Sequence, residues 1–180
     1  MDNPERIELT PNHIGAIGEA LFDAMYAPPE PATQLIREMC RSIAPDWVTI
    51  DDLTIQSRSD DYTYRIESED SIQGEESVRR KKPLHQWERD GVITARYRPS
   101  GEEREQLKEE LGKLDPSWRY EFPVEIKTGT GAELKRDQLN VMELLAENSD
   151  TQPILIRLGL EPLPDAFSVE EVRLVGNTPN

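Results

Sequence analysis

The sequence predicts an α/β fold, a mixed β-sheet flanked by helices. Three observations carry that prediction. A helical stripe of apolar residues opens the chain. β-rich runs fill its middle. A late strand, a strong helix and a continuous apolar run then follow one another, as in a sheet closed by a crossover.

Thr10-Pro11 is a helix start, a capping hydroxyl followed by proline at the first helical position. HIGAIGEALFDAMY then places Ile14, Ile17, Leu21 and Met25 on one stripe, giving a first helix of about 15 residues. APPEPAT breaks it. A second helix follows, in which Leu35, Ile36, Met39, Cys40 and Ile43 recur at helical spacing, with Cys40 in the core. WVTIDDLTIQS and DYTYRIES, on either side of Arg58-Ser59-Asp60-Asp61, are read as two strands of a hairpin. Residues 69–78 are polar and turn-like and are expected to be a mobile loop. GVITARYR gives a strand over Val92 to Arg98. SGEEREQLKEELGKL (residues 101–114 in the main) has only Leu107, Leu111 and Leu114 for packing, so it is expected to be a surface helix inserted into a single 180-residue domain. YEFPVEIKTG is an apolar strand with a sharp exit at Thr128-Gly129, and GAELKRDQLNVMELLAEN is a helix. PILIRLGL is a strand buried on both faces, and Val172 to Val175 is a shorter one.

A single cysteine excludes an internal disulfide and a multi-thiolate zinc site, and only His13 and His85 offer imidazoles. No apolar run reaches the length of a membrane span and no secretory signal is evident. A cytoplasmic protein with no membrane partner is therefore expected. The chain has 36 acidic and 21 basic residues, a formal net of -15. That is the wrong sign for approaching phosphate at low salt. Lysine occupies six positions against fifteen arginines. This acid-rich, lysine-poor balance is similar to that of proteins from salt-loving organisms, where the Debye length falls to about 3 Å near 1 M salt and distant repulsion is screened. One region runs against the total: between residues 79 and 98 seven basic residues face two acidic ones. Arg79, Arg80, Lys81, Lys82, Arg96 and Arg98 are therefore the candidates for phosphate contact, and His85 and Trp87 are candidates for stacking on a base, although a tryptophan beside a strand is more often core.

The chemistry concentrates at Glu125 and Lys127, two apart near the end of an apolar strand and so on one face. A carboxylate and an ammonium side by side can serve a divalent metal and steady the water or phosphate beside it. On a strand such a pair is also common as a solvated charge pair of under ~1 kcal/mol. Context favours the functional reading, since the strand is apolar, exits sharply and is followed by a strong helix.

Here the chain resembles the PD-(D/E)XK nuclease superfamily over most of Pro11 to Leu160. The resemblance rests on Glu125-Ile126-Lys127 and on Asp90, immediately before the preceding strand in WERDGVITARY. It implies a restriction-endonuclease-like core of a helix, three strands, a helix and a strand. Asp90 and Glu125 would be ligands of Mg2+ (or Mn2+), the Ile126 carbonyl a third, and Lys127 would position the attacking water. Asp46, in a literal Pro45-Asp46 pair, and Asp115 are rivals for the aspartate. Gln138 projects into the apolar stripe of its helix, which suggests that it reaches the site or a backbone edge. EIKTG followed by DQ resembles the RecB- and lambda-exonuclease-type branches, though Met142 stands where those often carry tyrosine. Glu19 resembles the first-helix acid of many members, while its helical projection places it on the exposed side. The implied activity is hydrolysis of DNA in repair, recombination or defence, and a homodimer or a protein partner is in keeping with the fold. The alternatives are a nuclease-like binding module that does not cut, and an acidic interaction protein with no nucleic-acid role.

Overall fold

The computed structural model describes residues 9–66, 85–112, 115–129, 132–148, 150–161 and 166–176. Helix α1, Pro11–Ala24, begins as its sequence dictates: the Thr10 hydroxyl accepts the His13 backbone N–H, and the His13 side chain accepts that of Thr10, both at 3.3 Å. Helix α2, Glu30–Ile43, buries Ala32, Ile36 and Cys40 at four-residue spacing. A 3₁₀ turn at Ile50–Asp52 leads into β1, Thr54–Ser59, followed by β2, Thr63–Ile66, β3, His85–Glu88, and β4, Gly91–Tyr97. Helix α3, Gly101–Leu111, separates β4 from β5, Trp118–Thr128, and is exposed except around Leu107. Helix α4, Arg136–Asn148, then β6, Ile154–Gly159, and β7, Ser168–Leu174, complete the described elements.

The sheet order is β1-β4-β5-β6-β7, with β5 and β6 parallel and the other neighbours antiparallel. This is the mixed sheet with flanking helices expected from the sequence, and the α4 crossover lies between the two parallel strands. One pairing differs. The hairpin expected between the runs now seen as β1 and β2 is absent: β1 pairs with β4, and β2 pairs with β3 in a separate two-stranded sheet. A twofold pattern shows that a segment is a strand but not which strand it meets, and here the partners follow burial. Ile55 of β1 packs on the main core, whereas Tyr64 of β2 stacks on Trp87 of β3 in a second core.

The two faces of β5 are thereby assigned. Phe122, Val124 and Ile126 join Phe22, Ile36 and Cys40 in the core beneath α1 and α2. Alternation sends Glu125 and Lys127 to the opposite face, where Trp87, Val141, Met142, Leu155 and Val175 form the second core under α4 and the β2–β3 hairpin. Helix α1 approaches the end of β5 so closely that a Cβ on Gly18 would overlap Cγ2 of Thr128. Just beyond, Gly129 turns the chain at a φ of 80°, a left-handed conformation open to glycine. Among the described residues no helix is long and apolar enough to cross a membrane.

Candidate active site

Glu125 is 2% exposed, a position where a carboxylate must be hydrogen-bonded or paired to be tolerated. Three donors meet it. Lys127 Nζ donates to Oε1 at 2.6 Å, Gln138 Nε2 donates to the same oxygen at 2.7 Å, and the Trp87 indole N–H donates to Oε2 at 2.6 Å. Gln138 is held in turn: its Oε1 accepts the Lys135 backbone N–H at 3.0 Å and Lys127 Nζ at 3.3 Å. The amide in the apolar stripe thus touches both the candidate site and a backbone edge. Binding the Lys135 N–H also satisfies one of the unpaired donors at the start of α4, which begins at Arg136, later than the helical pattern of the sequence suggested.

Asp90 lies opposite Glu125, because the β4–β5 register that pairs Gly91 with Val124 extends by one residue and the Asp90 N–H donates to the Val124 carbonyl at 3.0 Å. Its Oδ2 accepts the Ile126 N–H at 2.7 Å. Burial pushes the Asp90 carboxyl up to about 7, and the charges of Glu125 and Glu19 add to this against the Ile126 hydrogen bond and Lys127. Glu19 is exposed on α1, as its projection required, and still borders a recess of about 570 Å³ shared with Ser59, Asp60, Asp61, Glu88, Arg89 and Asp90. In that wall Arg89, 7% exposed, donates to Asp60 at 2.6 Å and to the Tyr64 hydroxyl at 3.0 Å, and lies over the Tyr62 ring at 5.2 Å.

The structure therefore joins Glu125, Lys127 and Gln138 by hydrogen bonds and ties Asp90 to the Ile126 backbone beside them, whereas Glu19 meets this group only through the recess that it shares with Asp90. Other candidates lie elsewhere. Asp46 is exposed in the turn after α2, and Asp115 pairs with Arg104 at 3.1 Å. Arg96 lies six residues along β4 from Asp90, roughly 20 Å at the rise of a strand. It borders a recess with Gln56, Arg58, Thr94 and Arg119, and Arg98 is exposed beyond the strand's end. His85 binds Asp137 at 3.0 Å. Trp87, 1% exposed, is inaccessible to a base. Arg79, Arg80, Lys81 and Lys82, and the loop expected at 69–78, lie outside the described residues. Sequence reasoning missed the Trp87–Glu125 contact and the Asp60–Arg89–Tyr64 network. The available signal was a tryptophan in the segment that also holds Arg89 and Asp90, since a buried indole N–H requires an acceptor.

The donor set suits a hard divalent cation. Among the described residues no group of three or more His, Cys, Asp or Glu side chains could hold a metal, so a cation would rely on two carboxylates, the Ile126 carbonyl and retained water, the shell that Mg2+ favours. A carboxylate has about four lone-pair sites. The contacts above fill three on Glu125 and one on Asp90, leaving capacity on each. Compared with known proteins, residues 12–174 match the family model described as PD-(D/E)XK nuclease superfamily domain. No curated protein and no solved structure shows a significant match.

Proposed function

The chain belongs to the PD-(D/E)XK nuclease superfamily, and from that premise we propose that it hydrolyses phosphodiester bonds in DNA with Mg2+ or Mn2+, in repair, recombination or defence. The observation that carries the proposal is the placement of Asp90 across the strand pair from Glu125, with Lys127 Nζ 2.6 Å from the Glu125 carboxylate. Asp90, Glu125 and the Ile126 carbonyl would hold the cation. When bound, it would lower the pKa of a coordinated water and offset charge on the phosphate. Lys127 then orients the attacking water and balances negative charge beside it, Gln138 keeps Lys127 and Glu125 in register, and Glu19 adds a carboxylate at the mouth of the recess. Arg79, Arg80, Lys81, Lys82, Arg96 and Arg98 would take the phosphate backbone. The protein would act as one cytoplasmic unit, alone or as a homodimer, with residues 101–114 as a surface insertion. The exposure of α3 supports that last point. The acid-rich composition favours activity at high salt.

A second reading, a nuclease-like module that binds without cutting, is favoured by one observation: every Glu125 oxygen already has a donor. Incubating the protein with single- and double-stranded DNA, with Mg2+, Mn2+ or EDTA, at low and molar salt, separates the two. Cation-dependent cleavage that falls by about 10²–10⁴-fold in Lys127→Ala, with folding retained, is expected. DNA binding without cleavage under any cation would establish the second reading instead.

A further inference from the structure

We infer that Trp87 is a positioning residue for the candidate cation site: its indole N–H fixes the one Glu125 oxygen that retains an open lone pair. The inference rests on the nuclease reading above. Glu125 Oε1 accepts from both Lys127 and Gln138, at 2.6 and 2.7 Å, which uses its two lone pairs. Among the described residues Oε2 accepts from Trp87 alone, at 2.6 Å. The remaining acceptor site of the carboxylate therefore lies on Oε2, and its direction follows from the donor beside it. Of the three donors the indole is the least adjustable. An ammonium turns three protons about a flexible stem, whereas the indole has one N–H in the plane of a rigid ring. That ring is 1% exposed and stacked on Tyr64 at 5.3 Å with 17° between planes. Tyr64 is held from behind by Arg89, which is anchored on Asp60. A tryptophan placed here for packing alone would need some acceptor, and a backbone carbonyl would serve. This one ends on the acid opposite Asp90.

The test is Mn2+ binding to the full chain, followed by calorimetry and by tryptophan emission. Asp90→Asn should abolish binding. Trp87→Phe keeps an aromatic ring and removes the N–H. It should weaken the Mn2+ affinity about 10- to 100-fold, as loss of a partner behind a metal ligand does, while cooperative unfolding is retained. Trp47→Phe, against Tyr97 in the other core, should bind as the wild type does. Should Trp87→Phe fail to fold, the Trp47→Phe/Trp118→Phe protein, with Trp87 its sole tryptophan, must show an emission change at the calorimetric midpoint. Wild-type affinity in a folded Trp87→Phe, or a sole Trp87 blind to bound Mn2+, overturns the role while leaving the site reading intact. A wild-type chain that binds no Mn2+ overturns both.

Discussion

Replacing Asp90 with asparagine should make the cation-free protein more stable at alkaline pH and no more stable at acid pH. Asp90 titrates near 7 instead of its ordinary 3.8 because it is buried beside Glu125. Between those values the folded protein holds a proton that the unfolded chain has released. Stability therefore falls as pH rises through that window, and the full cost is present above pH 7. At 1.36 kcal/mol per pH unit the shift corresponds to at most about 4 kcal/mol. Partial solvation at the recess reduces this, and about 1–2 kcal/mol is the expected gain. For a chain of this size that raises the melting temperature by about 3–6 °C. Asparagine keeps an oxygen to accept the Ile126 N–H, so the backbone contact survives. The assay is thermal unfolding in EDTA from pH 5 to 8.5, comparing the two proteins at each pH. A difference that does not grow with pH, or a less stable variant at pH 8, would refute the electrostatic account of this site.

Asp60→Ala should cost about 1–3 kcal/mol, because it removes the carboxylate that pairs with the Arg89 guanidinium while the Tyr64 hydroxyl and water in the recess remain to it; denaturant unfolding measures it. Burial alone would raise the Asp60 carboxyl, but the Arg89 hydrogen bond and charge outweigh it and hold the group below its ordinary value. The contribution of the pair should accordingly be complete above the ordinary carboxylate range and vanish as acid titrates the folded form. Gly18→Ala drives a methyl onto Thr128, and a loss of about 1–3 kcal/mol is expected unless α1 shifts outward. A Gly18→Ala/Thr128→Ser double mutant should recover part of it, as read by thermal unfolding. Cys40 is fully buried and its thiol is pushed up to about 11 by burial, so a thiol reagent should label it only at the rate of unfolding.

What the sequence made legible was whatever is local. The Thr10 cap, the α2 stripe and the shared face of Glu125 and Lys127 depend on spacings of two to four residues, which hold wherever the segment packs. Gln138 was legible for the same reason: an amide in an apolar stripe must be satisfied nearby. What remained hidden was pairing at long range. Nothing in TIQSRS specifies β4 over the adjacent β2 as its partner, and nothing in HQWE announces that its tryptophan meets a glutamate 38 residues later. Such contacts arise when two sheets and a helix close on a common core, and the period of one segment carries no information about the others.

The charge of the recess constrains how the proposed chemistry is ordered. Among the described residues Glu19, Asp61, Glu88 and Asp90 line it, and the one cation in that lining, Arg89, is already committed to Asp60. A phosphodiester brought to Asp90 would meet repulsion from these carboxylates, with Lys127 offsetting part of it, while the same charges attract a divalent cation. On the proposed reading the cation must therefore be loaded before or with the DNA, and salt has opposite effects on the two partners. Raising it weakens cation capture and phosphate contacts, but it also screens the net -15 that opposes encounter with DNA. Cleavage at fixed Mg2+ should then pass through a maximum as salt rises, and saturating Mg2+ should move that maximum upward. A monotonic decline from low salt, unaltered by added Mg2+, would mean that the acidic surface plays no part in limiting the reaction.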